Sequence, residues 1–207
     1  MVRCTERDGV CAEGAFTAEK DSLSLVLKLN QNPAVLFPDC DALKTQAAPW
    51  WIAHTKSRSE KAFAWDLIRR QIPYFLPMIL RVTVSGGRKR KVMAPLFPGY
   101  VFFCGDNEIR YKAMTTNRLC QTIVVPDQEI LLDELTCIER ALASKAVLDP
   151  YPYAAVGKRC RIKSGPFRDL EGIVIQRSKA TKIVLQVSIL GQGASMEIEP
   201  ELLEPAE

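Results

Sequence analysis

A chain of 207 residues holds one medium or two small domains, and its mixture of 47% apolar and 25% charged residues is that of a globular protein. No apolar run approaches the roughly 20 residues that cross a bilayer. The acid-rich start (Glu6, Asp8, Glu13, Glu19, Asp21) precedes the Leu23–Leu29 run in the wrong charge order for a secretion signal, so a cytoplasmic location is expected. His54 is the only histidine, which excludes multi-histidine metal sites and leaves a single residue that could serve a Ser-His triad. The seven cysteines contain no C-x-x-C pair and read as reduced structural thiols. No catalysis, metal or cofactor is expected.

Charge is unevenly spread. Residues 50–91 carry ten basic side chains against Glu60 and Asp66, net +8, whereas 1–49 come to −2, 92–144 to −3 and 145–207 to +1. Such a concentration suggests a polyanion near that part of the fold.

In chain order, residues 1–49 read as a largely flexible extension. Leu23, Leu25, Leu27 and Leu29 alternate like a strand, but Asn30-Gln31-Asn32-Pro33 ends it and no partner is apparent. Trp50–Thr55 predicts a strand. Ser57-Arg58-Ser59-Glu60 fits a capping box opening a helix whose stripe is Phe63, Ala64, Leu67 and Ile68, ended by Pro73. Strands over Tyr74–Val84 and Arg88–Ala94 turn at Gly86-Gly87, a pair that tolerates positive φ. A strand over Pro98–Cys104, a helix over Glu108–Thr116, a strand over Gln121–Val125 and a helix over Gln128–Ser144 begun by Asp127 complete an α+β unit, residues 50–145, with an antiparallel sheet and helices against it. Pro150 and Pro152 mark a linker over 146–155. Residues 156–207 are period-two throughout, with Ile183, Leu185, Val187 and Ile189 alternating, and predict a small all-β barrel.

Two stretches resemble a known family. Pro95-Leu96-Phe97-Pro98-Gly99-Tyr100-Val101-Phe102 resembles the signature of the NusG N-terminal domain, closest to its RfaH-type paralogues, as does Leu76-Pro77-Met78-Ile79. Val156-Gly157-Lys158 and Gly165-Pro166-Phe167-Arg168-Asp169-Leu170-Glu171-Gly172 resemble the KOW motif, and Val187-Ser188-Ile189-Leu190-Gly191 continues it. The resemblance covers 50–205 and implies an N-terminal domain followed by an SH3-like KOW barrel.

What the resemblance implies is a transcription elongation or antitermination factor, monomeric, whose partner is core RNA polymerase. His54, Phe97, Tyr100 and Phe102 would meet the clamp helices of the largest subunit. Arg110, Tyr111 and Lys112 stand where relatives contact the gate loop, although the family's polar motif is not reproduced there. In Pro98–Cys104 both faces are apolar, so one face either awaits a partner or is core. Trp65 between Lys61 and Arg69 on the first helix, with Lys56, Arg58, Arg70 and Arg118, would meet the non-template DNA strand by stacking and phosphate contacts. The run Arg88–Lys91 reads either as a contact to duplex DNA or as a solubilising turn.

Phe167, Ile189, Leu190 and Gly191 would present the barrel's partner surface, free for a ribosomal protein or Rho. Period-two apolar residues and glycines predict that this segment is a barrel in the full chain, not the helical hairpin of RfaH. The alternative function is a KOW-type RNA-binding or ribosome-associated module.

Overall fold

The computed structural model describes residues 31–38, 43, 48–85, 87–151, 157–177 and 180–206, so the Leu23–Leu29 reading lies outside the described residues. In chain order the elements are β1 (Leu36–Phe37), β2 (Trp50–Thr55), α1 (Glu60–Arg69), β3 (Tyr74–Phe75), β4 (Met78–Ser85), β5 (Arg88–Pro95), β6 (Tyr100–Cys104), α2 (Asn107–Met114), β7 (Leu119–Ile123), α3 (Gln128–Ala143), β8 (Asp149–Tyr151), β9 (Lys158–Ile162), β10 (Glu171–Arg177), β11 (Ala180–Val187), β12 (Gln192–Glu197) and β13 (Leu203–Pro205). They form a five-stranded sheet in the order β1-β3-β6-β2-β7, a separate β4-β5 ribbon, and a six-stranded sheet in the order β13-β9-β10-β11-β12-β8.

The first sheet is organised by the pairing of β2 with β6, Trp50 opposite Cys104 through His54 opposite Tyr100. Directly paired residues point to the same side of an antiparallel sheet. Val101 and Phe103 therefore share a face with Trp51 and Ala53, and α1 covers it with Phe63, Ala64 and Leu67. Phe63 meets Phe103 edge to face, ring centres 6.2 Å apart. Phe102 and Cys104 share the other face with Ile52 and Trp50, and Leu131, Leu135 and Ile138 of α3 belong to the same buried cluster. Phe102 is fully buried, with Phe97 edge-on at 6.1 Å and Phe75 at 6.2 Å. For Phe102, both faces of β6 are core.

Several local expectations need correction. Helix α1 begins at Glu60 with Ser59 at its cap position, and no serine side chain caps it. Arg58 takes a left-handed φ of 58°, which turns the chain too late for Ser57 to act as the cap. The Glu60 carboxylate, instead of closing a capping box, accepts the Gly99 N–H at 2.7 Å. The expected Tyr74–Val84 strand is two strands, because Pro77 has no N–H to donate and the chain leaves the sheet there for the ribbon. Part of the N-terminal extension is built in: Leu36 and Phe37 pair with Phe75 and Tyr74, the Tyr74 hydroxyl donates to the Ala34 carbonyl at 2.8 Å, and Leu43 is buried.

Helix α3 starts as expected, with Asp127 accepting the Ile130 N–H at 3.0 Å. Its first residue also completes the sheet. The Gln128 amide accepts from the Trp50 N–H at 2.8 Å and donates to the Trp50 carbonyl at 3.1 Å, standing in for a strand beyond the end of β7. The same helix lies alongside β11. Buried residues run without a break from Ile52 and Phe102 through Leu131, Leu135, Ile138 and Ala141 to Ile183, Leu185 and Val187.

The C-terminal unit is all-β within the full chain, as the period-two residues predict. β11 pairs with β10 on one side and β12 on the other. The linker is partly absorbed: Asp149–Tyr151, placed between units by the sequence, adds to β12 as strand β8.

Because Phe102 packs on all sides, Phe102→Ala should destabilise the fold by about 3–5 kcal/mol. A urea titration should show a lower midpoint with an unchanged slope; a shift below about 1 kcal/mol would mean that this face is not closed in solution.

Candidate functional site

The aromatic rim of the sheet comes first. Past the buried Phe102, the face ends in His54 and Tyr100, both half-buried and stacked at 5.1 Å with planes 22° apart. Gly99 makes this possible with φ +85°, and a Cβ there would sit 3.6 Å from the imidazole. The Glu60 carboxylate fixes the same turn from α1. Of the four residues expected to meet a clamp helix, His54 and Tyr100 are accessible at the rim, while Phe97 and Phe102 support them from within the core.

The basic surface lies on α1 and the two loops beside it. The Lys56 N–H donates to the Arg118 carbonyl at 2.8 Å, tying the loop before α1 to the loop before β7. Asp66 then gathers two arginines, Arg69 at 2.8 Å and Arg118 at 2.7 Å. One carboxylate against two guanidinium groups leaves a net positive charge and holds both forks in place. Trp65 is 37% exposed on the same helix, with Lys56, Arg58 and Arg70 also exposed. An indole among cations can stack a base while the cations meet phosphates.

Lys61 departs from the expectation. Its amine donates to Asn32 Oδ1 at 2.7 Å and to the Met93 carbonyl, so it joins the N-terminal segment and β5 to α1. Burial lowers its pKa below the usual lysine value, with Glu60 acting in the opposite sense. It is a structural tie, and the set expected to face DNA loses one cation. Trp65 and Arg69 remain.

The residues aligned with a gate-loop contact divide. Arg110 is spoken for: its Nε donates to Thr122 Oγ1 at 2.8 Å and its guanidinium lies 4.7 Å from the centre of the Trp51 ring. Tyr111 is 70% exposed and Lys112 is exposed beside it. Arg70 links them to the basic surface, donating to the Lys112 carbonyl and to Thr115 Oγ1. The two sets that sequence treats separately are thus one continuous surface across the ends of α1 and α2.

On the C-terminal unit, both candidate partner loops touch α3. The turn after β11, capped by Gly191 at φ 60°, is held by Glu134, whose carboxylate accepts from the Ser188 N–H at 3.0 Å and from its hydroxyl. Desolvation raises the Glu134 pKa, and the Ser188 hydrogen bonds oppose that shift. Arg140 donates to the Arg168 carbonyl, next to Phe167, at 2.9 Å. Phe167, Ile189 and Leu190 are partly buried. The expectation that these loops are free is therefore corrected: α3 holds both.

Sequence reasoning missed Asp66, Glu60, Gln128, Glu134 and Arg140. Only the Asp66–Arg69 spacing carried a local signal, because residues three apart are neighbours on a helix. Cys104 is buried, donates to the Ala48 carbonyl at 3.1 Å, and has its pKa pushed up to about 11. Among the described residues no three His, Cys, Asp or Glu side chains group as metal ligands, and no helix is long and apolar enough to cross a membrane.

Parts of this chain are similar to known proteins. Residues 48–130 match the family described as "NusG: Transcription termination factor nusG". The "Transcription termination/antitermination protein NusG" of Treponema pallidum (strain Nichols) is 28% identical over 178 residues, covering 74% of this chain and 96% of that protein. Among solved structures, "Domain interaction in Thermotoga maritima NusG" matches at 21% identity and a TM-score of 0.43, over 80% of this chain and 99% of that one. "Crystal Structure of MjSpt4:Spt5 complex conformation B" matches at 17% identity and a TM-score of 0.25, over 76% and 97%. The family match across the aromatic sheet and the relative matched over nearly its whole length make this chain similar to transcription termination/antitermination factors of the NusG type.

Proposed function

We propose that the chain works in the cytoplasm as an elongation or antitermination factor that holds RNA polymerase and its exposed non-template DNA strand together, without catalysis. The observation that carries this reading is the continuity of the α1 and α2 surfaces, joined by Arg70, with Trp65 and Arg69 at one end and Tyr111 and Lys112 at the other. Such a surface can hold nucleic acid and protein at once. His54 and Tyr100 at the sheet rim supply a second protein contact, suited to a helix of the polymerase clamp. A factor that binds the closed clamp more tightly than the open one shifts the population away from paused states by that difference in affinity. The C-terminal unit then recruits a second protein, such as a ribosomal protein or Rho, through Phe167, Ile189, Leu190 and Gly191, after its loops leave α3.

The polymerase contact is tested with His54→Ala/Tyr100→Ala, a pair chosen because both side chains are partly accessible. The variant should keep its circular dichroism and bind core polymerase on the order of tenfold more weakly, the scale of losing about 1.4 kcal/mol. Unchanged binding by a folded double variant would remove the rim from the interface. An RNA-binding module, the rival reading, would show no affinity for core polymerase at all.

For DNA, Trp65→Ala should cost about 1–3 kcal/mol in binding to exposed non-template strand. Arg69→Ala should flatten the salt dependence by about 0.7 in logarithmic slope. Lys61→Ala should instead lower stability and leave the slope alone. Equal slopes for the Arg69 variant and the parent would leave α1 as a solvated face.

Recruitment should depend on the α3 contact. In Glu134→Ala the Ser188 N–H and hydroxyl lose their acceptor, so the amide resonances of Ser188–Gly191 should shift and exchange with solvent faster. An unperturbed turn would show that apolar packing alone holds the unit in place.

A further inference from the structure

Residues 50–91 carry ten cations and only two carboxylates, and one of these, Glu60, is turned to the Gly99 N–H. The other, Asp66, stands within the basic surface next to Trp65, with 14% of its side chain exposed. By charge alone Asp66 opposes an anionic ligand, because it cancels a cation where a phosphate would lie. Its contacts point the other way.

Each carboxylate oxygen takes one arginine, and the two arginines come from different parts of the chain. Oδ1 accepts from Arg69 Nη1 at 2.8 Å, three residues along α1. Oδ2 accepts from Arg118 Nε at 2.7 Å, from the loop before β7 and 52 residues away in sequence. The Arg118 carbonyl is fixed separately by the Lys56 N–H. Arg118 is therefore held at its backbone and at its Nε, and among the described residues neither of its terminal nitrogens meets an acceptor. Arg69 is bound through one terminal nitrogen and keeps the other, with 70% of its side chain exposed. Two guanidinium groups on long stems repel each other, and they give up rotamer freedom when a ligand fixes them. A carboxylate between them offsets the repulsion and completes that ordering before the ligand arrives.

We propose that Asp66 is a positioning residue of the strand-binding surface, setting Arg69 and Arg118 side by side so that both grip phosphates flanking a base stacked on Trp65. An acidic side chain thereby strengthens the binding of an anion. This role rests on the function proposed above, and it adds a requirement that positive charge by itself does not impose: the two arginines have to be held together.

The test measures binding of the full chain to a mixed-sequence single-stranded DNA oligomer, without polymerase, over a range of salt concentrations. Asp66→Asn keeps the size of the side chain and removes its negative charge. Its affinity should nevertheless fall on the order of fivefold, because the arginines are no longer ordered in advance. In an Arg69→Ala/Arg118→Ala background the same Asn substitution should no longer weaken binding, since the cycle then has no pair left to position. Binding by Asp66→Asn as tight as the parent's or tighter, with a steeper salt dependence, would overturn the proposal and leave Asp66 as a neutralising charge. So would an equal loss in the background that lacks both arginines, which marks damage to the fold. Failure of the strand-binding function itself looks different: Trp65→Ala and Arg69→Ala/Arg118→Ala would then bind the oligomer as the parent does.

Discussion

A central strand that is apolar on both faces has to be covered twice, and the rest of this molecule is arranged around that requirement. β6 carries Val101 and Phe103 one way and Phe102 and Cys104 the other. Helix α1 meets the first demand, and that commits its opposite side, with Trp65 and Arg69, to solvent. Helix α3 meets the second, and that leaves its remaining surface to the C-terminal unit. The exposed basic surface of α1 and the contact that holds the C-terminal loops are both by-products of closing one strand.

The electrostatics are distributed by the same geometry. Three carboxylates near the candidate sites each hold a particular group in place. Asp66 fixes two arginines, Glu60 fixes the Gly99 turn, and Glu134 fixes the Ser188 turn. Cations that face solvent are left in excess at the ends of α1 and along the ribbon. In the exposed pairs the Coulomb gain is small, so the value of Asp66 lies in holding two guanidinium groups in one orientation.

Much of this was legible in the sequence, and what was hidden has a common cause. β2, β6 and α3 follow from apolar spacing and from Asp127 at the cap position, because those signals are local and strong. β1 and β8 are two and three residues long, too short for any period, and exist only because a sheet edge is there to receive them. Lys61 looks like a surface cation from its helical spacing, but its partners Asn32 and Met93 are brought to it by the tertiary fold. Tyr100 and Phe102 share a face and an aromatic character, yet one ends at the rim and the other under α3, a difference set by which helix arrives over them. Side-chain type and periodicity cannot encode that arrival.

Strand β8 also sets how far the C-terminal unit can travel. With Asp149–Tyr151 zipped onto β12, only residues 144–148 separate the end of α3 from the unit's own sheet. Five residues fully extended reach about 17 Å, a leash that allows the unit to tilt or slide but keeps it within one helix diameter or so of where it sits. Unzipping β8 would lengthen the leash to the fourteen residues 144–157, about 48 Å at full stretch. Three short rungs of backbone hydrogen bonding thus divide two regimes, one in which the C-terminal unit is held close to α3 and one in which it can range nearly three times as far.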